Sequence, residues 1–139
     1  MVAEGGVWAG RCAPSLGDIE ALADAALATL PAPFEAAARG VAVQVAEMAD
    51  EAMLEGVGLA DPLELTGLYE GVPLTEKSGF DTPGQPDVIW LFRAAILDEW
   101  CARGDVALDA LVTHVLVHEL AHHLGWSDDD IATIDRWWE

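Results

Sequence analysis

The hydrophobic residues of this chain recur with two different periods, and each period predicts a different kind of element. Between residues 19 and 30, apolar side chains return every three or four positions, which predicts an amphipathic helix. Ser15 followed by Asp18 has the form of a capping box, so we expect the helix to begin at this point. Pro31 and Pro33 interrupt helical hydrogen bonding and mark its end.

Three later stretches have the composition of β-strands. Val41, Val43 and Val45 alternate with Ala and Gln, which is the pattern of a half-buried strand. Residues 63–69 predict a second strand, and the wholly apolar residues 88–92 predict a third. The residues between these strands predict a short helical turn at 34–39, an acidic connection at 50–62 and a Gly- and Pro-rich loop at 73–87.

Helical periodicity returns after the third strand. Residues 94–103 form one helical pattern, which stops at Gly104. Asp105 is then expected to cap a longer helix that runs to Leu124. The apolar stripe of this long helix consists of Leu116, Val117, Leu120, Ala121 and Leu124.

The chain closes with one more short helix. Ser127 and Asp130 have the spacing of a second capping box, which predicts this last helix through Trp137. A few short strands combined with helices indicate the α+β class. We therefore expect a small mixed sheet packed against the apolar stripe of the long helix.

Composition and charge narrow the class of protein. The chain has 139 residues, 53 % of them hydrophobic, which is enough for one domain with its own core. We expect that domain to span residues 15–139, with residues 1–14 as a flexible tail. The formal net charge is −19, from 25 acidic and only 6 basic residues. Such a surface repels nucleic acids and anionic membranes, so neither is expected as a partner, whereas basic peptides remain compatible with it.

The cysteines and the N-terminal residues predict a cytoplasmic protein. Cys12 and Cys101 stand far apart without a CxxC motif, as expected of free thiols in a reducing compartment. Residues 1–11 lack the basic and apolar regions of a signal peptide. No apolar run in the sequence is long enough to span a membrane.

Residues 118–128, which read HELAHHLGWSD, contain the candidate chemistry. His118 and His122 are four residues apart on the long helix, so they share one face and could close on one metal ion. Glu119 lies one residue further round the helix and could accept a proton from a water molecule at that ion. A buried helix with hydrogen-bonded histidines is the alternative interpretation. The Gly and Asp that follow at fixed spacing favour the metal site.

Gly125 stands where the long helix would end, because glycine adopts the left-handed conformation after a helix without strain. The chain could then turn back and deliver a carboxylate as a third ligand. Asp128, Asp129 and Asp130 are all candidates for that ligand. The alternative role of Asp128 is to cap the last helix.

Four further polar residues have less specific patterns. His114 shares the face of the predicted ligands but is eight residues, about 12 Å, from His122, so we expect it in the core or beside the ligands. His123 should point about 100° away from His122 and find its own hydrogen-bond partner. Tyr69 and Arg93 could stabilise an oxyanion, although a half-buried aromatic and a surface ion pair are the favoured interpretations.

Three segments match the motifs of one known family: GLYEGVPLT at residues 67–75, PDVIWLFR at residues 86–93, and HExxHxxGxxD at residues 118–128. They resemble the minimal zincin-like metallopeptidase family of bacteria, over roughly residues 15–137. The resemblance implies a compact fold with a short mixed sheet, a zinc ion at the HExxH helix and proteolytic activity. It also implies that the zinc ligands are His118, His122 and Asp128 and that the catalytic residue is Glu119.

Two hypotheses from different classes follow. The first is a zinc-dependent hydrolase of peptide bonds, in which Glu119 is the general base. Residues 88–92 would hold an extended peptide substrate if that strand lay at the sheet edge above the metal. The second is a metal-stabilised binding or regulatory module with little or no hydrolysis, which the small size and the lack of an evident cleft in the sequence favour.

Overall fold

The computed structural model describes residues 13–32, 34–71, 87–127, 129 and 131. Its elements in chain order are α1 (Leu16–Leu27), α2 (Phe34–Ala38), β1 (Val41–Ala46), α3 (Glu51–Val57), a short 3-10 helix (Pro62–Glu64), β2 (Gly67–Glu70), β3 (Asp87–Phe92), α4 (Arg93–Arg103) and α5 (Leu108–His123). Several predictions fall outside the described residues: most of the N-terminal tail with Cys12, nearly all of the loop at 73–87, Asp128, Asp130 and the Trp137 end of the last helix.

The three strands form one sheet in the order β1-β3-β2. β1 runs parallel to β3 and β2 runs antiparallel to it, so Val43 and Tyr69 flank Ile89 from opposite sides. The small mixed sheet of an α+β fold is therefore confirmed. β3 is the central strand, so residues 88–92 do not lie at the sheet edge, where a peptide could pair with them. The expectation that this strand holds a peptide substrate is therefore wrong. In the described part of the chain, β2 is an edge strand.

Helix α1 begins where the capping box predicts. Ser15 Oγ accepts a hydrogen bond from the Asp18 N–H at 3.1 Å, and the Ser15 N–H donates to Asp18 Oδ2 at 2.8 Å. These two bonds satisfy two backbone N–H groups at the helix start, which have no carbonyl partner within the helix. The buried face of α1, formed by Ile19, Ala23 and Ala26, packs along α5.

Helix α5 lies at the centre of the core. It contacts α1, α2 and α4 as well as strands β2 and β3. In the predicted stripe, Leu116, Val117, Leu120 and Ala121 are 0 % exposed, and Leu124 is half-buried. Burial of each large aliphatic side chain contributes about 1.5–3 kcal/mol, so this packing holds the HExxH segment on a rigid element.

The acidic connection predicted at residues 50–62 contains a helix instead. Asp50 Oδ1 accepts a hydrogen bond from the Met53 N–H at 2.8 Å, which caps α3, and Gly58 ends the helix with a φ of +74°. Leu54 is buried in a second, smaller apolar cluster beside the sheet. With seven residues, α3 is too short to display a clear helical period in the sequence.

Two further boundaries differ from the prediction. The segment at 63–69 becomes strand only at Gly67, because the 3-10 helix comes first and Asp61 Oδ1 caps it by accepting from the Leu63 N–H at 2.9 Å. Asp105 does not cap α5, whose N-cap is Ala107 without a side-chain hydrogen bond. The helix begins too far beyond Asp105 for that carboxylate to reach the first free N–H groups.

The remaining helix boundaries agree closely with the sequence. The short turn at 34–39 is α2, and α4 ends at Gly104, which has a φ of +73°. This left-handed conformation is the one that glycine adopts without strain. None of the helices in the described ranges has the length and apolar character that a membrane crossing requires.

Candidate metal centre

The polar residues of the HExxH motif lie together on α5. One ligand atom each from His118, Glu119 and His122 lies within 4.8 Å of the others. The two imidazole rings are 5.0 Å apart between centroids and inclined at 75°. Both histidines are half-buried, and Glu119 is 8 % exposed. Two imidazoles with a neighbouring carboxylate are a donor set that zinc accepts, so these residues could hold such an ion.

A groove of about 500 Å³ runs beside these three residues. Glu119 is the one carboxylate among its described lining residues, and the rest of the wall is mostly apolar. This groove is a cleft that the sequence did not reveal. Its other lining residues are Val57, Leu65, Leu68, Tyr69 and Trp126, together with Gly67, Gly71 and Gly125.

Strand β2 comes close to α5 because residue 67 is a glycine. A Cβ at Gly67 would lie 2.6 Å from Val115 Cγ1 and 3.3 Å from Glu119 Cγ. The first distance is too short for two carbon atoms, so any larger residue would push strand and helix apart. Gly67 therefore sets the distance between the edge strand and Glu119.

The chain reverses direction directly after α5. The Gly125 N–H donates to the His122 carbonyl at 2.9 Å, and the Trp126 N–H donates to the Ala121 carbonyl at 3.0 Å. This pair of bonds is the Schellman arrangement, and the φ of Gly125 is +84°. The predicted end of the helix at Gly125 is confirmed.

A further helical turn starts beyond this reversal. The Ile131 N–H donates to the Ser127 carbonyl at 2.9 Å, which is a helical spacing. Asp129 is exposed, while Asp128 and Asp130 lie outside the described residues. The third metal ligand therefore stays a prediction.

His123 takes part in a buried polar contact and is not among the described lining residues of the groove. It is 2 % exposed, and its Nδ1 atom lies 2.9 Å from Tyr69 Oη and 3.3 Å from Asp87 Oδ2. The expectation that His123 has its own partners is confirmed. Sequence reasoning assigned no role to Asp87, although it is a charged residue directly before a wholly apolar strand and belongs to the family-like segment at residues 86–93.

The structure also places the other polar candidates. Arg93 Nη1 lies 3.0 Å from Glu47 Oε2, and Arg93 Nε donates to the Pro14 carbonyl at 2.6 Å, so Arg93 is an ion-pair residue outside the groove lining. Tyr69 is a half-buried strand aromatic that also lines the groove, so its proposed part in stabilising an oxyanion stays a prediction. His114 is half-buried, with its ring centroid 6.5 Å from that of His118.

Comparison with known protein families places this geometry in context. The zincin-like metallopeptidase family matches residues 38–138, which include β2, β3 and the whole HExxH helix. Because the match covers well over half of the 139 residues, the chain belongs to the zincin-like metallopeptidase family. A comparison with curated proteins found no match.

Proposed function

We propose that this protein is a zinc-dependent hydrolase of peptide bonds. The observation that supports the proposal best is the grouping of His118, Glu119 and His122 in one groove, in a chain of the zincin-like metallopeptidase family. His118 and His122 would hold the ion, with Asp128 as the third ligand. When bound, zinc would supply Lewis-acid polarisation of the scissile carbonyl and acidify a water molecule near neutral pH.

Glu119 is the residue that we assign to proton transfer. It lies beside both imidazoles and is largely shielded from solvent, which strengthens its electrostatic interactions in the groove. Glu119 would accept a proton from the attacking water and pass it to the leaving amine. The absence of a side chain at Gly67 leaves the room that the Glu119 side chain occupies, because a Cβ there would lie 3.3 Å from Glu119 Cγ.

We assign the peptide backbone to the outer edge of β2. This strand pairs with β3 along one edge, and its residues line the groove beside the HExxH side chains. An extended peptide can add to such an edge through main-chain hydrogen bonds. Val57, Leu65 and Trp126 in the groove wall then favour an apolar side chain near the scissile bond.

We further propose that residues 15–139 act as one domain in the cytoplasm. Cys101 is a free, exposed thiol, which is stable in a reducing compartment. The acidic composition argues against nucleic acid and anionic membranes as partners. A peptide or protein remains as the substrate.

The experiment compares the wild type with Glu119→Gln. We expect about one zinc ion per chain in both proteins, and cleavage within a broad peptide library by the wild type. Glu119→Gln should reduce the rate by about 10²–10⁴, because it removes the base but keeps the shape of the side chain. Chelation should abolish cleavage, and added zinc should restore it.

Cleavage that survives either Glu119→Gln or chelation would contradict this mechanism. The alternative function, a metal-stabilised binding module, makes the opposite prediction. In that case the wild type would bind zinc without cleaving any peptide, and cells that carry Glu119→Gln would keep the protein's biological role.

A further inference from the structure

We propose that Tyr69, Asp87 and His123 are positioning residues, which hold edge strand β2 at a fixed distance from the metal-binding end of α5. The inference rests on the proposed function, because it concerns the alignment of a peptide on β2 with Glu119. None of the three is needed for the proton transfers assigned above.

The contact of these residues joins three elements at one point. Tyr69 lies on β2, Asp87 is the first residue of β3, and His123 is the last residue of α5, next to His122. Both the phenol oxygen and the carboxylate lie within 3.3 Å of the same His123 nitrogen. With Asp87 5 % exposed and His123 2 % exposed, little water competes for these contacts, which makes them costly to break.

Asp87 also packs against the chain where β2 ends. A Cβ at Gly71 would collide with Asp87 Oδ1, while Asp87 Oδ2 faces His123. Glycine at residue 71 therefore leaves the room that the carboxylate occupies. The Asp87 carboxylate therefore lies between the end of β2 and the end of α5.

The two ends of β2 are thus held against α5 in different ways. At one end, the missing side chain of Gly67 lets the strand approach Val115 and Glu119, and the other end is held through Tyr69 and Asp87. A peptide on this strand would meet the HExxH residues at a spacing that both contacts determine. Displacements of about 1 Å between reacting groups can cost 10²-fold in rate. The contact of Tyr69, Asp87 and His123 would therefore affect the position of the peptide and not the binding of the metal.

The test uses two hydroxamates, which both chelate zinc but differ in reach. Acetohydroxamate is too small to reach beyond the metal site, whereas N-acetyl-leucyl-leucine hydroxamate is long enough to lie along β2. Tyr69→Phe keeps the aromatic ring and removes the hydroxyl. We expect Tyr69→Phe to lower the affinity for the dipeptide hydroxamate roughly 5–10-fold, which corresponds to the loss of one hydrogen bond. The affinities for acetohydroxamate and for zinc should stay unchanged.

Asp87→Asn is the second variant, and Glu70→Gln is the matched control. Asp87→Asn keeps the size of the side chain. It should likewise lower the affinity for the dipeptide hydroxamate and leave that for acetohydroxamate unchanged. Glu70 neighbours Tyr69 on β2 but contacts Trp90, accepting from its Nε1 atom at 2.7 Å. Glu70→Gln keeps an oxygen acceptor there and should change neither affinity.

Each outcome separates this inference from the proposed function. Equal weakening of both probes, or no weakening in Tyr69→Phe and Asp87→Asn, would overturn the positioning role. If the zinc-loaded wild type cleaves no peptide yet the probes differ as expected, peptide hydrolysis fails and the positioning role stands. A wild type that binds neither probe would overturn both.

Discussion

Gly67 on the edge strand faces Glu119 on the HExxH helix across a gap that has no room for a side chain at residue 67. A Cβ at Gly67 would lie 3.3 Å from Glu119 Cγ and 2.6 Å from Val115 Cγ1. The absence of a side chain at residue 67 therefore allows the strand that we assign to the substrate to approach the residue that we assign to catalysis. A side chain at residue 67 would fit only after a shift of the strand, the helix or Glu119 itself.

Gly67→Ala should reduce both stability and turnover. The added methyl group overpacks a buried contact, which typically costs 1–3 kcal/mol of unfolding free energy, and it displaces Glu119. We expect a fall in kcat of about tenfold in the protein that remains folded. Urea unfolding and steady-state kinetics measure the two effects.

Gly56→Ala is the control for Gly67→Ala. Gly56 lies within α3 with no atom within 4 Å of the position of a Cβ. Alanine in a helix is favoured over glycine by about 0.5–1 kcal/mol, so stability should stay equal or rise. Similar losses in both variants would show that the contact with α5 is not the cause.

His118→Ala and His114→Ala should differ sharply in zinc affinity. His118 belongs to the group whose ligand atoms lie within 4.8 Å of each other, whereas His114 is a turn earlier on α5 and outside that group. Loss of a ligand should lower the zinc affinity by more than about 100-fold, whereas loss of a residue beside the ligands should lower it by less. Competition with a chromophoric chelator measures both constants. Comparable losses would place His114 among the ligands.

Zinc should raise the melting temperature of the wild type. An ion that binds only the folded chain stabilises it by about 2.7 kcal/mol when its concentration is 100 times the Kd. For a domain of this size that corresponds to a shift of about 5–10 °C, measured by calorimetry with and without chelator. His118→Ala should lose the shift. An equal shift in wild type and His118→Ala would place the ion elsewhere.

The HExxH helix could be predicted from the sequence because its features are local. Residues four apart on a helix share a face whatever surrounds them, so His118 and His122 had to lie together once the helix formed. The stop at Gly125 is equally local, since a left-handed residue is needed there. The predicted start of the helix was wrong. Asp105 is a residue type that often caps helices, but the N-cap is Ala107, which makes no side-chain hydrogen bond.

The contacts between elements could not be predicted in the same way. Nothing near Asp87 in the sequence indicates that His123 and Gly71 lie against its carboxylate, because the three residues meet only after the sheet packs on α5. The central position of β3 did have a signal. A wholly apolar run such as residues 88–92 is typical of a strand covered on both faces, which favours the middle of a sheet over its edge.

Gly125→Ala should destabilise the protein more than Gly125→Asn. With a φ of +84°, Gly125 holds the left-handed conformation that ends α5, and it also lines the groove. Alanine in that conformation costs about 1–2 kcal/mol, whereas asparagine tolerates it better. Urea unfolding should therefore rank the three proteins as wild type, Asn variant and Ala variant. Because the turn after α5 leads towards Asp128, we also expect zinc affinity to fall in the same order. Equal stability of the Ala and Asn variants would mean that the loss comes from the added side chain rather than from the backbone conformation.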